Sequence, residues 1–432
     1  MKRRIIQYTT VVLAFLAGMI FMTYMTRMGN RDMTGDMAQA QLPVVYAEQD
    51  GVLYNEMHGY VEDMDGASMR DSVIGVSEDH KVGLALEKYN AQIKSVSYEV
   101  RSLDMSRLIE GGDDLQAEDD GKYLHVSLTL KDLLTQGEEY LLVLKVQTED
   151  QDLVRFYSIL TYLGTNHVQD CVDFAQRFHE MTLTGDSDGV LNYLEQDGSM
   201  DGKNLGYINI HSRSGPVTWG DMQVVETGET SLRFTELESD ITALTMEYQV
   251  TNTETSEQYQ VREAYRLRYT STRIYLLAYE RWTDKILEPG RQMVEDGKLS
   301  FGIQSSEPVY MKNTEENVVG FVEQGQLWSY DYGQNRLSLV YGFTDGQDGR
   351  ADWKEHDYRL LKVDDTGSMD FLLYGYMNRG RYEGRSGVMF CHYDALMNTV
   401  EELFFVPSDQ SYAAMKEDIG DLAVQNGNGK AW

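Results

Sequence analysis

The chain has 432 residues, of which 42% are hydrophobic and 25% are charged, a composition typical of folded domains rather than of disorder. Its formal net charge is −32. A surface this acidic repels nucleic acid and anionic lipid headgroups, because the binding of polyanions depends on basic side chains. The length suffices for about two to four domains, each with its own core.

The N-terminus predicts a membrane anchor. Residues 5–25 contain no charged side chain, and a helix of that length spans about 30 Å, the thickness of a bilayer's hydrocarbon core. Lys-Arg-Arg at 2–4 precedes this segment, so we expect a cytoplasmic N-terminus and an extracytoplasmic remainder, in a single-pass cell-membrane protein. The alternative is a signal peptide cleaved at 38–40 (Ala-Gln-Ala), but that site lies well beyond the apolar segment. We therefore assign 1–27 to the cytoplasmic tip and signal anchor, and 28–42 to a polar tether.

Residues 43–164 predict an antiparallel β-sandwich. Asp50-Gly51 lies between two short apolar runs and is typical of a two-residue hairpin turn. Further strands are predicted at 91–100, 122–130, 138–148 and 153–163, separated by acidic or glycine-containing turns. This pattern resembles an immunoglobulin-like domain.

Residues 165–287 predict an α+β domain. Apolar residues in 166–182 recur at steps of three and four, which indicates one face of a helix, and a second short helix is predicted at 189–195. Long strands are predicted at 244–252, 257–270 and 273–282. Helices followed by long antiparallel strands indicate a sheet that curls round a helix, a layout that resembles NTF2-like or cystatin-like domains.

The predicted strand 257–270 carries Arg262, Arg266 and Arg268 on one face, while Glu263 lies on the opposite, largely apolar face. On so acidic a protein, three arginines in line are candidates to bind a carboxylate, a phosphate or an acidic partner. The alternative is that they pair across the sheet with glutamates; the candidate partners are Glu247, Glu257 and Glu280.

Residues 288–432 predict a β-meander. YDYGQNRL begins at Tyr330 and YDALMNTV at Tyr393, so Tyr-Asp, three residues and then Asn occurs twice. Two strand–YD–turn–strand units resemble the blades of TolB-like or WD-repeat-like β-propellers, over about residues 298–406. Propellers usually close with about four to eight blades, so the resemblance implies an incomplete propeller in a truncated piece of a longer protein. The alternative is that both units pack as a small sheet on the preceding domain.

Few residues suggest chemistry. Acidic side chains in 345–357 are candidate calcium ligands, although their spacing does not match an EF-hand loop and a solvated loop is the alternative; the candidates are Asp345, Asp348, Asp352 and Asp357. Cys171 and Cys391 are too few and too far apart for a zinc site or a disulfide framework, so we expect two buried thiols. No hydrolase or nucleotide-binding motif is found, and we predict neither a catalytic residue nor a cofactor.

In layout the chain resembles single-span bacterial membrane proteins. The predicted function is that of an anchored extracytoplasmic binding or scaffold protein, which recognises a protein, a peptide or an envelope component without catalysis. Two alternatives remain: an envelope hydrolase whose site lies in a part of the propeller beyond this chain, and a small-ligand sensor that uses residues 165–287. Buried acids or histidines in a deep cleft favour the hydrolase, and an apolar cavity beneath residues 244–282 favours the sensor.

Overall fold

The computed structural model describes residues 39–113, 115–149, 153–165, 167–197, 204–288, 294–295, 298–305, 308–344, 350 and 353–419. In this part of the chain, strands far outnumber helices, and the strands form several separate sheets with no closed barrel. The prediction of a mainly β protein is therefore confirmed.

Two five-stranded sheets form the N-terminal part. Their strands are β1 Val44–Gln49, β2 Val52–His58, β3 Val73–Ser77, β4 Lys81–Glu87, β5 Ile93–Arg101, β6 Leu108–Gly112, β7 Ala117–Asp119, β8 Tyr123–Thr129, β9 Glu139–Thr148 and β10 Val154–Gly164. Sheet A has the order β2-β1-β4-β8-β7, and sheet B has the order β3-β10-β9-β5-β6. β10 pairs with β3 in parallel, and its pairing with β9 is antiparallel.

The predicted turn at Asp50-Gly51 joins β1 to β2. Both residues have positive φ, 51° and 82°, as a two-residue hairpin turn requires. Sheets A and B share one apolar core, to which Leu84 of β4, Val143 of β9 and Phe156 of β10 contribute. This arrangement fits the predicted β-sandwich.

Sheet C follows, with the order β11-β15-β14-β13-β12. Its elements are α1 Val168–Leu183, α2 Ser187–Leu191, β11 Tyr207–Asn209, α3 Ser214–Val217, β12 Val224–Leu237, β13 Ile241–Asn252, β14 Gln258–Tyr269 and β15 Ile274–Lys285. α1 packs on the inner face of the sheet, against β12 and β14. The second helix ends earlier than predicted and also begins earlier, because the Asp186 side chain caps its N-terminus by accepting a hydrogen bond of 2.9 Å from Gly189 N.

The C-terminal part contains a short ribbon, β16 Val294–Glu295 and β17 Lys298–Leu299, and two four-stranded meanders. Sheet D consists of β18 Tyr310–Lys312, β19 Val318–Glu323, β20 Gln326–Asp331 and β21 Arg336–Tyr341. Sheet E consists of β22 His356–Val363, β23 Met369–Tyr376, β24 Ser386–Asp394 and β25 Thr399–Ser408, and α4 Tyr412–Ile419 follows it. Leu327 and Tyr341 of sheet D share an apolar cluster with Phe371 and Cys391 of sheet E, so these two sheets pack on each other.

The repeated Tyr-Asp sequence motif forms the same type of hairpin turn twice. Tyr330 OH donates to Asn335 Oδ1 over 2.6 Å, and Tyr393 OH donates to Asn398 Oδ1 over 2.8 Å. Both asparagines have left-handed backbones, with φ of 49° and 52°, a conformation that asparagine tolerates better than most residues. The sequence motif occurs twice because two hairpins, β20–β21 and β24–β25, have the same turn.

The predicted anchor at 5–25 lies outside the described residues. In the part of the chain that the structure covers, no helix is long and apolar enough to cross a membrane.

Asn398→Ala is expected to destabilise the protein by about 2 kcal/mol, because alanine loses the Tyr393 hydrogen bond and pays for the left-handed backbone. Asn398→Gly keeps the backbone conformation and loses only the bond, so it should cost about 1 kcal/mol. Urea unfolding of the two variants checks this order. If both variants lost the same free energy of unfolding, the left-handed backbone of Asn398 would not contribute to stability.

Candidate functional site

The three predicted arginines lie exposed on the outer face of sheet C. β14 alternates between buried residues and residues that are exposed or half-buried, and Arg262, Arg266 and Arg268 fall on its exposed side. At about 3.3 Å per residue, the row is about 20 Å long. Three guanidinium groups therefore lie along the solvent-exposed side of one strand.

Aromatic rings, rather than the predicted glutamates, hold two of these side chains. The Arg262 guanidinium lies 4.1 Å from the centroid of the Trp282 ring, and that of Arg268 lies 5.2 Å from the Tyr275 ring. Arg273 lies over the same Tyr275 ring at 3.8 Å. Such cation–π contacts fix the guanidinium and leave its N–H groups available. Among the described residues, neither Arg262 nor Arg268 forms an ion pair, and both side chains can therefore receive an anionic group.

Arg266 is already paired. Its Nε and Nη2 donate to the two carboxylate oxygens of Glu236 on β12, over 2.8 and 2.9 Å. Of the predicted partners, Glu247 faces Arg262 across the strand pair, Glu257 binds Lys285 at 2.6 Å, and Glu280 accepts from the Tyr207 hydroxyl. Pairing across the sheet therefore accounts for Arg266, through a glutamate that the sequence did not single out.

Three parts of the chain meet at the β12 edge of this outer face. Arg233 of β12 forms an ion pair of 3.2 Å with Glu355 and lies 4.6 Å from the Trp353 ring, which stacks on His58 of β2 at 4.2 Å. Burial raises the pKa of Glu355, and the nearby Asp71 carboxylate raises it further, against the opposing effect of Arg233. These buried carboxyl groups lie where β12 of sheet C packs against β2 and β3.

The candidate calcium ligands are only partly covered by the structure. Asp345, Asp348 and Asp352 lie outside the described residues. Asp357 accepts a hydrogen bond from Tyr412 OH over 2.8 Å and pairs with Lys416 at 2.8 Å. Among the described residues, no three acidic, histidine or cysteine side chains are arranged to hold a metal ion.

A second polar cluster lies on the inner face of sheet C, beneath residues 244–282. Glu263 of β14 is fully buried, and its carboxylate accepts hydrogen bonds from Tyr265 OH over 2.6 Å, Tyr279 OH over 2.8 Å and His179 Nδ1 over 3.1 Å. His179 Nε2 lies 3.3 Å from Glu226 Oε2. A helix side chain and two strands of the sheet therefore meet at one buried carboxylate, and a third strand, β12, joins the cluster through His179.

The surroundings of His179 and Glu263 favour the charged form of both groups. Burial opposes protonation of His179, but hydrogen bonds to Glu263 and Glu226 and their charges outweigh burial, so the pKa of His179 is raised. Burial likewise opposes ionisation of Glu263, but the hydrogen bond and charge of His179 and the hydrogen bond of Tyr265 lower its pKa. A buried ion pair of this kind persists only because each partner is fully hydrogen-bonded.

Next to this pair, Arg281 is buried beneath α3. Its Nη1 donates to Val217 O over 2.7 Å and its Nη2 to Pro216 O over 2.9 Å, and its guanidinium lies 3.9 Å from the Trp219 ring. Three buried polar atoms at this end of the inner face have no hydrogen-bond partner among the described residues: Trp219 Nε1, Arg281 Nε and Thr283 Oγ1. Two of them can only donate, so these two donors have no acceptor among the described residues.

Sequence reasoning found the arginine row but not the inner cluster. The available signal was Glu263, the one charged residue on an otherwise apolar strand face. His179 lies four residues after Ala175 on the buried face of α1, which also fits that pattern. Arg281 gives no comparable signal, because its partners are backbone carbonyls more than 60 residues away.

Comparison with known proteins does not assign the chain to a family. No family model and no curated protein matches it. Among solved structures, it is similar to CopC from Methylosinus trichosporium OB3b, with 15% sequence identity and a TM-score of 0.16, over 25% of this chain and 99% of that chain. At this TM-score the similarity supports no conclusion about fold or function.

Glu263→Gln is expected to lower the free energy of unfolding by about 3–5 kcal/mol, because it breaks a buried ion pair and leaves His179 without its countercharge. Glu247→Gln, on the exposed face of the neighbouring strand, is the matched control and should cost about 1 kcal/mol or less. Urea unfolding measures both variants.

The cost of Glu263→Gln should also depend on pH. The lowered pKa of Glu263 gives stabilisation above its unfolded pKa, near 4.5, which is lost as pH falls through the folded pKa. The raised pKa of His179 gives stabilisation below its unfolded pKa, near 6.5, which is lost as pH rises through the folded pKa. The difference between wild type and variant is therefore largest between those two values. A difference that stays constant from acid to alkaline pH would be inconsistent with this pair.

Proposed function

We propose that the protein is an anchored binding protein that acts outside the cytoplasm without catalysis, and that it recognises an acidic segment of a protein partner. In this proposal, residues 5–25 hold the chain in the cell membrane, and the outer face of sheet C forms the recognition surface. The observation that supports it is the row of exposed guanidinium groups, two of which rest on aromatic rings and form no ion pair with any described residue.

The chemistry of the row fits carboxylates. A guanidinium presents its N–H donors in a planar fork that matches the two oxygens of a carboxylate. Arg262 and Arg268 are separated by about 20 Å along the strand, which suits an extended acidic segment better than a single small anion. Because each guanidinium is already held in place over a ring, its side chain loses less entropy when the partner binds.

The charge of the rest of the protein gives the row its selectivity. With a net charge of −32, most of the surface repels an acidic partner. Attraction is then confined to the few places where arginines are exposed together. We propose that the arginine row fixes where and in which direction the partner binds.

The remaining parts have supporting roles in this proposal. We propose an immunoglobulin-like sandwich for 43–164, an NTF2-like or cystatin-like curled sheet for 165–287 and a propeller-like pair of blades within 288–432. The repeated Tyr-Asp corner in sheets D and E supports the last assignment, and the α1 helix on the inner face of sheet C supports the second.

The double change Arg262→Gln and Arg268→Gln is expected to weaken binding of a fluorescent glutamate-rich peptide at least about tenfold, because each charge-assisted hydrogen bond contributes about 1.5–3 kcal/mol. Fluorescence anisotropy on the full chain in mild detergent measures this affinity. Arg70→Gln is the matched control, since Arg70 is exposed but pairs with Glu139 in the sandwich, and it should leave binding unchanged. If the double variant bound the peptide as tightly as wild type, the arginine row would not be the recognition surface.

One observation favours a second candidate function, a small-ligand sensor. The interior beneath residues 244–282 contains an apolar cluster, and within it Trp219 Nε1, Arg281 Nε and Thr283 Oγ1 are buried without acceptors among the described residues. Buried polar groups are nearly always satisfied. A small ligand rich in acceptor oxygens, such as a carboxylic acid, fits this set of donors.

Thr283→Val separates the two candidates. If the interior binds no ligand, the variant removes an unsatisfied hydroxyl and should be as stable as wild type or more stable. If a ligand accepts from Thr283, the variant should lose about 1 kcal/mol and the thermal shift that short carboxylic acids give to the wild type. Thr182→Val is the control, because the Thr182 hydroxyl donates to His179 O over 2.8 Å and its loss should be destabilising in either case.

A further inference from the structure

Two arginines meet at the tip of the β14–β15 hairpin, at one end of the outer face of sheet C. Arg268 is the last arginine of β14, Tyr275 lies directly opposite it on β15, and Arg273 belongs to the turn between the two strands. Both guanidinium groups lie over the Tyr275 ring, at 5.2 Å for Arg268 and 3.8 Å for Arg273. Arg268 and Arg273, the tip pair, therefore have their guanidinium carbons at most about 9 Å apart.

The backbone that carries the tip pair is held by its own hydrogen bonds. Thr270 Oγ1 donates to Arg273 O over 2.7 Å and accepts from Arg273 N over 3.2 Å. Thr270 N donates to the same Arg273 carbonyl over 3.1 Å. At the end of β14, the His167 ring stacks on Tyr269 at 3.6 Å. Because the turn and the strand end are ordered without a ligand, the tip pair loses little backbone entropy when it binds one.

The tip pair has no countercharge among the described residues. Both side chains are exposed, and neither forms an ion pair with a described carboxylate. Asp240 lies beside this tip, where its backbone carbonyl accepts from Tyr269 N over 2.8 Å, but its carboxylate pairs with neither arginine. On a protein with 70 acidic and 38 basic residues, two neighbouring guanidinium groups of this kind form a local positive site on an acidic surface.

We propose that the tip pair binds a phosphorylated side chain within the acidic segment that the arginine row recognises. This inference rests on the proposed function, because the same segment extends along β14 to Arg262. A carboxylate has two oxygens, which one guanidinium fork already satisfies. A phosphate monoester carries a charge of about −1.5 to −2 and three acceptor oxygens at neutral pH, so it matches two guanidinium groups.

The separation of the two guanidinium groups fits a single phosphate. If each group donates to oxygens of one phosphate over about 2.8 Å, the guanidinium carbons lie about 8 Å apart or less. The tip pair reaches that separation with a small movement of either side chain. At the other end of the row, the Trp282 ring holds only the guanidinium of Arg262. The two ends of the row therefore differ in charge, which gives the bound segment a direction.

Fluorescence anisotropy with two peptides tests the proposal on the full chain in mild detergent. One is the glutamate-rich peptide, and the other has phosphoserine in place of one central glutamate. The wild type should bind the phosphorylated peptide at least about tenfold more tightly, because the second guanidinium adds charge-assisted hydrogen bonds. The net charge of −32 alone predicts the opposite order, since it repels the more highly charged peptide. Equal or weaker binding of the phosphorylated peptide would overturn the proposal.

Two single variants locate the phosphate. Arg273→Gln should reduce the ratio of the two affinities to about one. Arg262→Gln, the matched control over the Trp282 ring, should weaken the binding of both peptides and leave their ratio unchanged. A ratio that Arg273→Gln does not change would contradict the tip pair as the phosphate site.

The same measurements distinguish this inference from the proposed function. If the double change at Arg262 and Arg268 weakens binding of the unphosphorylated peptide while the wild type shows no preference for phosphoserine, the row remains the recognition surface and only the phosphate site is wrong. Competition identifies the source of the phosphate. If inorganic phosphate displaced the labelled phosphopeptide at the same concentration as the unlabelled phosphopeptide does, the ligand would be the free ion and the proposal would be overturned.

Discussion

The arrangement of the parts depends on one buried guanidinium, that of Arg350. Its Nε donates to Leu42 O over 2.9 Å, its Nη1 donates to Asn378 O over 2.6 Å, and Glu383 lies 3.1 Å from its Nη2. Glu383 in turn accepts from the backbone N–H of Leu42 over 2.9 Å. Burying an arginine costs several kcal/mol unless its donors find partners, and here the partners come from both ends of the chain. The sandwich and sheet E are therefore held in one relative position.

A second buried polar residue links the sandwich to sheet C. Asn55 has a left-handed backbone, with φ of 53°, its Nδ2 donates to Val73 O over 2.8 Å, and its Oδ1 accepts from Phe234 N over 2.7 Å. One side chain thus satisfies backbone groups on two different sheets. Together with Arg350, it gives the exposed face of sheet C a fixed orientation relative to the rest of the protein. A binding surface on a rigid element loses less entropy on binding than one on a loop.

The sequence predicted elements whose signal is local. Alternation in β14, the periodicity of α1 and the Asp50-Gly51 turn depend on neighbours within a few residues, and the predicted β strands and helix are found there. β12 was missed, because its 14 residues include three threonines, three glutamates and a glycine in place of an alternating apolar pattern. The partners of Arg350, Arg281 and Arg266 could not be predicted either, since Leu42, for example, is 308 residues from Arg350. The arginine row could thus be located from the sequence, but the aromatic rings and the glutamate that its side chains contact could not.

In the proposed function, the contacts of that row determine which arginines can bind an acidic partner. Arg266 already satisfies two of its donors with Glu236, so an acidic partner must displace a bidentate carboxylate and gains little by the exchange. Arg262 and Arg268 rest on aromatic rings, which hold the guanidinium by its face and leave its edge free. Inside the same sheet, the Glu263 carboxylate is hydrogen-bonded to His179. The inner charges therefore stabilise the sheet, and within the row the guanidinium groups that pair with no described carboxylate are those of Arg262 and Arg268, at its two ends.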